Sequence, residues 1–241
     1  MAFPVYEVFP PRRPARLGAR RGSAGIIWHT TEAAGTRRAD AVATATWQRT
    51  NPGNYNWIVY DPATDPRGLL LTVPYLEASG GVNPASAAWA PGRFPWLRQL
   101  LPAAAYADPN AHLLNVAFSG RTADLLKGLA AGRADVVRMV DVAARLTLWV
   151  EAQAWGADDQ VFSGHMHWQS NRSDPGQAVI DAILARYAEL KAPKPAPPPP
   201  PDYRALYEAE VAKVADLRVK LQAERDRITR RDAYVRGYPG E

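Results

Sequence analysis

Cysteine is absent from the 241 residues. That excludes disulfide bridges, thiolate nucleophiles and cysteine-ligated metal, and leaves nitrogen and oxygen as the available donors. Histidine is scarce at four copies, and no His-Glu-x-x-His occurs, which removes the helix-borne zinc peptidase motif. No apolar run approaches the roughly 20 residues of a membrane-spanning helix, so no membrane insertion is expected. The opening Met1-Ala-Phe-Pro-Val-Tyr-Glu7 lacks a basic stretch followed by an apolar one, so no secretory signal is visible and a cytoplasmic origin is expected. Charge of one sign is only mildly in excess, at +5. Its densest stretch, Arg12, Arg13, Arg16, Arg20 and Arg21, lacks the interleaved aromatics of a nucleic-acid platform. Nucleic acid is not expected; an anionic polymer is.

Proline, in contrast, is abundant and concentrated. The run 192–201 cannot form helix or ladder and predicts an extended polyproline spacer. It separates an N-terminal arm (1–23) and a globular region (24–191) from a polar helical tail (202–241). Ala24 to His29 reads as a buried strand, 35–48 as a helix, and Tyr55 to Tyr60 as a strand entered through the turn at Asn51–Asn54. Arg67 to Val73 and Leu113 to Phe118 are further strands. Ala134 to Ala154 reads as a helix, Gln160 to Ser163 as a short strand, and Pro175 to Leu190 as a last helix. Residues 76–110, rich in alanine, proline and glycine, read as one long irregular binding loop. The sum is an α/β (α+β) fold, a mixed sheet flanked by helices. In the tail, Tyr207, Val214, Leu217, Leu221 and Ile228 approach an a/d seam, with Glu210 and Glu224 in intervening slots. Self-association or docking through this helix stands against a solvated single helix.

The chemistry concentrates in two places. His29 ends the apolar strand and is followed by Thr30 and Thr31, at the sheet edge where ligands sit in such folds. Later comes Gly164-His165-Met-His167-Trp168, then Arg172-Ser-Asp174-Pro-Gly176. Two imidazoles and a carboxylate around an open position make the ligand set of a catalytic zinc site. If the segment is extended, His165 and His167 share a direction, which keeps His167 as a substitute ligand, or as a residue that supports the ligands or contacts substrate. Asp174 before Pro-Gly also reads as a helix N-cap with proline at N1. Trp28, Trp57, Trp89, Trp96 and Trp168 are candidates for stacking on sugar rings.

Taken together, these segments resemble the zinc-dependent type 2 N-acetylmuramoyl-L-alanine amidases, a family that includes many phage endolysins and is related to peptidoglycan recognition proteins. The shared pattern is His29-Thr30-Thr31 at the first strand end, Tyr55-Asn56-Trp57 in a later strand, Leu114 to Gly120 as a core strand, and the closing Gly164-His165 with Arg172-Ser-Asp174-Pro-Gly176. Order and spacing agree over residues 24–190. The resemblance implies zinc (Zn2+) held by His29, His165 and Asp174, with Tyr55 beside the attacking water and Arg172, where lysine is usual, steadying the oxyanion. It places Thr31, Asn56, Trp57, His167 and Trp168 near substrate. Asn56 stands where a histidine is common, and Ala117 where some relatives carry glutamate.

The implied activity is hydrolysis of the amide bond between N-acetylmuramic acid and L-alanine in bacterial peptidoglycan. The implied setting is an endolysin made in the host cytoplasm that reaches the cell wall after release. A non-catalytic peptidoglycan-binding module and a virion-associated structural protein are the rival readings, and a cytosolic enzyme that recycles muropeptides is the rival setting.

Overall fold

A computed structural model describes residues 7–8, 25–50, 55–73, 78–152, 161–192 and 203–236. The expected turn at Asn51–Asn54 and the run at 193–201 lie outside them. The chain divides into two units, Met1–Ala192 and Pro193–Glu241.

The first unit is built on a mixed six-stranded sheet. Its strands are β1 (Glu7–Val8), β2 (Gly25–Thr30), β3 (Trp57–Val59), β4 (Leu69–Leu71), β5 (Leu114–Phe118) and β6 (Val161–Gly164). Their spatial order is β1-β4-β3-β5-β2-β6. Strands β3, β5, β2 and β6 run parallel, β4 is antiparallel to β3, and β1 pairs parallel with β4. The arm therefore supplies an edge strand to the sheet, a pairing the sequence reading left out. The α/β expectation holds.

Alternation along the strands decides which side chains can reach a site. Ile26, Trp28, Trp57, Val59, Leu114 and Val116 point to one face and are buried with Met139, Ala143, Leu146, Val179 and Ile183. The covering helices are α6 (Ala134–Ala152) and α7 (Gln177–Lys191). On the other face, Ile58 and Tyr60 pack with Ala41 and Ala45 of α1 (Arg38–Gln48). Further along that face Ile27 packs with Leu97, Ala105 and Trp168. Burying a side chain such as Trp28 or Ile27 contributes about 1.5–3 kcal/mol each.

Three expectations need correction. Residues 91–112 are not irregular: a 3₁₀ turn at Pro91–Arg93 leads into α2 (Pro95–Leu100), α3 (Ala103–Ala107) and α4 (Pro109–His112). Proline occupies the first position of α2 and α4, where its missing N–H costs nothing. A helix, α5 (Thr122–Ala130), follows β5 where none was expected. The last helix of the unit begins at Gln177 with Gly176 as its cap, so Asp174 is not an N-cap.

The second unit contains α8 (Tyr203–Arg236), and its side chains from Tyr207 to Ile228 are exposed. Glu210 pairs with Lys213 and Glu224 with Arg227 along the helix surface. Both glutamates thus lie in exposed ion pairs along the single helix. No helix among the described residues is long and apolar enough to cross a membrane.

Candidate metal centre

The register of β2 against β6 creates the site. Trp28 lies opposite Gly164 in this parallel pair. One residue further on stand His29, within β2, and His165, directly past the end of β6, on neighbouring strands about 4.8 Å apart. Past Gly164 the chain turns in a 3₁₀ loop over His165–His167 and returns so that Met166 N–H donates to the Asp174 carbonyl at 3.2 Å. This return brings the Asp174 carboxylate to the two rings.

Three donor atoms converge there. His29 Nδ1 is 3.1 Å from His165 Nδ1 and 3.6 Å from Asp174 Oδ2, and His165 Nδ1 is 3.3 Å from the same oxygen. A tetrahedral ion with bonds of about 2.0–2.2 Å requires donor separations of roughly 3.3–3.6 Å. The two edges to Asp174 match one face of such a site, and the edge between the rings is about 0.2 Å short of it. All three residues are buried, with exposures of 0%, 6% and 8% for His29, His165 and Asp174. The group could hold a metal ion. Two nitrogens and one oxygen suit a borderline ion better than magnesium or calcium, which take oxygen.

The electrostatics agree with a ligand role. Burial, the largest influence, pushes His29 below the ordinary imidazole range, although the neighbouring Asp174 carboxylate opposes it, so the ring is held in its neutral, ligating form. Burial would raise the Asp174 carboxyl. The two imidazoles beside it, His165 and His29, outweigh that and hold it well below the usual carboxylate range. The backbone N–H of Thr30 adds a donor to Oδ2 at 3.3 Å.

Tyr55 borders the group. Its ring lies 5.1 Å from that of His29, and its hydroxyl donates to the Thr30 carbonyl at 3.3 Å. Burial pushes the phenol above its ordinary value, the Asp174 charge adds to this, and the Arg172 guanidinium opposes it. Arg172 is exposed, on the loop between the 3₁₀ turn and Asp174.

Other expected site residues lie elsewhere. His167 is not a substitute ligand. The 3₁₀ turn sends it away from His165, so that its Nδ1 accepts from Gly164 N–H at 3.1 Å and its Nε2 meets Gln177 at 3.2 Å. Phe94 and Trp96 pack edge-on to its ring. Trp28 and Trp57 are buried under α6 and α7, on the far side of the sheet. Trp168 is buried too, stacked on Trp89 with its indole N–H on Ser163 Oγ. None of these three offers a sugar-stacking face; Trp89 and Trp96 remain partly exposed.

Asn56 is buried as well. Its Oδ1 accepts from Ser79 Oγ at 2.7 Å and from Asn115 N–H at 3.1 Å, which makes it a strut rather than a substrate contact. Thr31 is half-buried and organises the loop, its hydroxyl accepting from Ala33 and Gly120 N–H.

Two residues carried no signal in the sequence. Asn115 Oδ1 lies 2.9 Å from His29 Nε2, and Gln169 Oε1 contacts His165 Nε2. Lone amides belong to no motif, and only the fold brings them to the outer edges of the rings. Compared with family models, curated proteins and solved structures, the chain finds no match.

Proposed function

We propose that the protein is a zinc-dependent hydrolase of bacterial peptidoglycan that cleaves the amide between N-acetylmuramic acid and L-alanine. The observation that carries this reading is the buried convergence of His29, His165 and Asp174 at the ends of β2 and β6, with Tyr55 and Arg172 alongside. Zinc bound by three protein ligands polarises a carbonyl and lowers the pKa of water from about 15.7 to roughly 7. Asp174 contributes one negative charge against the ion's two, which keeps the centre cationic.

The chain's own groups divide the remaining work. Arg172, exposed on its loop, reaches the substrate from the solvent side and donates to the carbonyl oxygen as charge builds there. The Tyr55 hydroxyl, anchored on the Thr30 carbonyl, orients the reacting groups beside His29. Of the five candidate tryptophans, Trp89, stacked on Trp168, and Trp96, packed against His167, are the two that keep exposed surface with which to meet glycan. A catalytic unit joined through a proline-rich run to a helical unit fits an endolysin acting on the wall after release from the host cytoplasm.

Digestion of purified peptidoglycan, with products identified by mass spectrometry, tests this. The zinc-loaded protein is expected to release stem peptides with a free L-alanine amine and leave the glycan strands intact. His165→Ala is expected to abolish release, and Arg172→Ala to slow it about 10²–10³-fold, the loss typical of one oxyanion donor. Binding to the wall without new amines would make the protein a recognition module.

A further inference from the structure

The outer nitrogens of the two ligand histidines meet amide oxygens whose orientation the surrounding bonds fix. Asn115 Nδ2 faces three acceptors: Ser79 O at 2.9 Å, Ser79 Oγ at 3.1 Å and Asn110 Oδ1 at 3.3 Å. Ser79 Oγ spends its own proton on Asn56 Oδ1 and is therefore free to accept. Asn110 is pinned in turn, its Nδ2 donating to Val82 O at 2.7 Å and its Oδ1 accepting from Val82 N–H at 3.2 Å. A flipped Asn115 would set an acceptor against these three, so its oxygen must face His29 Nε2.

Gln169 is oriented by a different group. Its Oε1 accepts from Asn83 N–H at 3.4 Å, and a backbone N–H can only donate, so the same oxygen accepts from His165 Nε2. Both Nε2 atoms therefore carry hydrogen, and in the neutral imidazole, the form that ligates a metal, that leaves each Nδ1 as a bare lone pair. These two lone pairs and a carboxylate oxygen crowd within 3.6 Å, with no proton to share among three acceptors.

One stretch of chain, 78–83, supports both amides: Ser79 and Val82 hold Asn115 directly or through Asn110, and Asn83 holds Gln169. It presses close at Gly81, where a Cβ would fall 2.0 Å from Asn115 Oδ1 and 2.7 Å from His29 Nε2. Glycine is what lets the segment lie against that hydrogen bond.

We propose that Asn115 and Gln169 are positioning residues, tied together through residues 78–83, that hold His29 and His165 in the Nε2–H tautomer and so aim both Nδ1 atoms at the metal. The proposal rests on the reading of this group as a metal centre. Outer hydrogen bonds of this kind govern ligand orientation and basicity.

The test uses the full chain, zinc alone as the probe, and two variants. Gln169→Met keeps the length of the side chain and removes the acceptor; Asn83, being exposed, then gives its N–H to water. Gln169→Glu keeps the acceptor. Zinc affinity, read by competition with a chromophoric chelator, is expected to fall about 10–100-fold in Gln169→Met and to stay near wild type in Gln169→Glu. In the metal-free protein, imidazole ¹⁵N spectra are expected to show Nε2–H for both rings in wild type. For His165 in Gln169→Met, the same spectra should show a mixture of tautomers.

Zinc binding by Gln169→Met as tight as wild type, or an Nδ1–H tautomer in the wild-type metal-free protein, would overturn the assignment. A wild-type chain that takes up no zinc would instead remove the metal reading, and the metal-free spectra would still decide what Asn115 and Gln169 do.

Discussion

Asp174→Ala is expected to remove zinc binding and, with it, all stabilisation by zinc. With free zinc at 100–1,000 times its dissociation constant, a ligand bound only by the native state adds about 2.7–4.1 kcal/mol. For a chain of this size that raises the melting temperature by roughly 5–16 °C, at about 2–4 °C per kcal/mol. The physical reason lies in the donor set. Without the carboxylate, the two neutral rings offer the ion no negative charge, in a site where His29 is wholly buried.

The variant will also melt lower without metal, because Asp174 accepts from Thr30 N–H and contacts both rings in the metal-free protein. The quantity to compare is therefore the zinc-dependent increment for each protein, followed by scanning calorimetry at fixed free zinc. An increment in Asp174→Ala equal to wild type would place the ion elsewhere.

Gly25→Ala carries the largest expected effect on stability. Gly25 opens β2 with φ +138°, a backbone conformation that side chains disfavour, and it lies opposite Val161 of β6. An added Cβ would sit 1.8 Å from the Val161 carbonyl oxygen and 2.6 Å from its carbon. Both obstacles are backbone, so neither can rotate away. The cost should exceed about 4 kcal/mol, a large part of the roughly 5–15 kcal/mol that holds a domain together.

Gly92→Ala serves as the control, because nothing lies within 4 Å of its added Cβ. It should stay within about 0.5 kcal/mol of wild type. Urea unfolding read by tryptophan fluorescence measures both. A Gly25→Ala protein as stable as the control would refute the β2–β6 pairing, and with it the apposition of His29 and His165.

What could be read from the chain depended on how local its cause was. The run from Gly25 to Trp28 is continuous and apolar because β2 lies between β5 and β6 with both faces covered, so it announced itself. The long periodic stretch that became α6 did the same. The helices at residues 95–112 are four to six residues long, too short for periodicity to show, and their prolines looked like breakers. They persist by burying Leu97 and Ala105 against Ile27 and Trp168, which is a tertiary cause.

His29 and His165 were legible because a chain with four histidines and no cysteine offers few nitrogen or sulfur donors, and Asp174 because of the Arg172-Ser-Asp174-Pro-Gly176 motif around it. His167 was misjudged because the pairing of directions assumed an extended strand, whereas the chain coils at His165. Trp57 was misjudged for the opposite reason: it does lie in a strand, and parity turns it to the far face. Asn115 and Gln169 had no sequence signal, since their meaning comes wholly from what the fold sets beside them.

The most direct test of the metal centre is anomalous diffraction at the zinc edge from crystals of the zinc-loaded protein. One peak is expected, within about 2.0–2.2 Å of His29 Nδ1, His165 Nδ1 and Asp174 Oδ2. No peak at that point, or a zinc ion held by His167 or by either Nε2 atom, would contradict it.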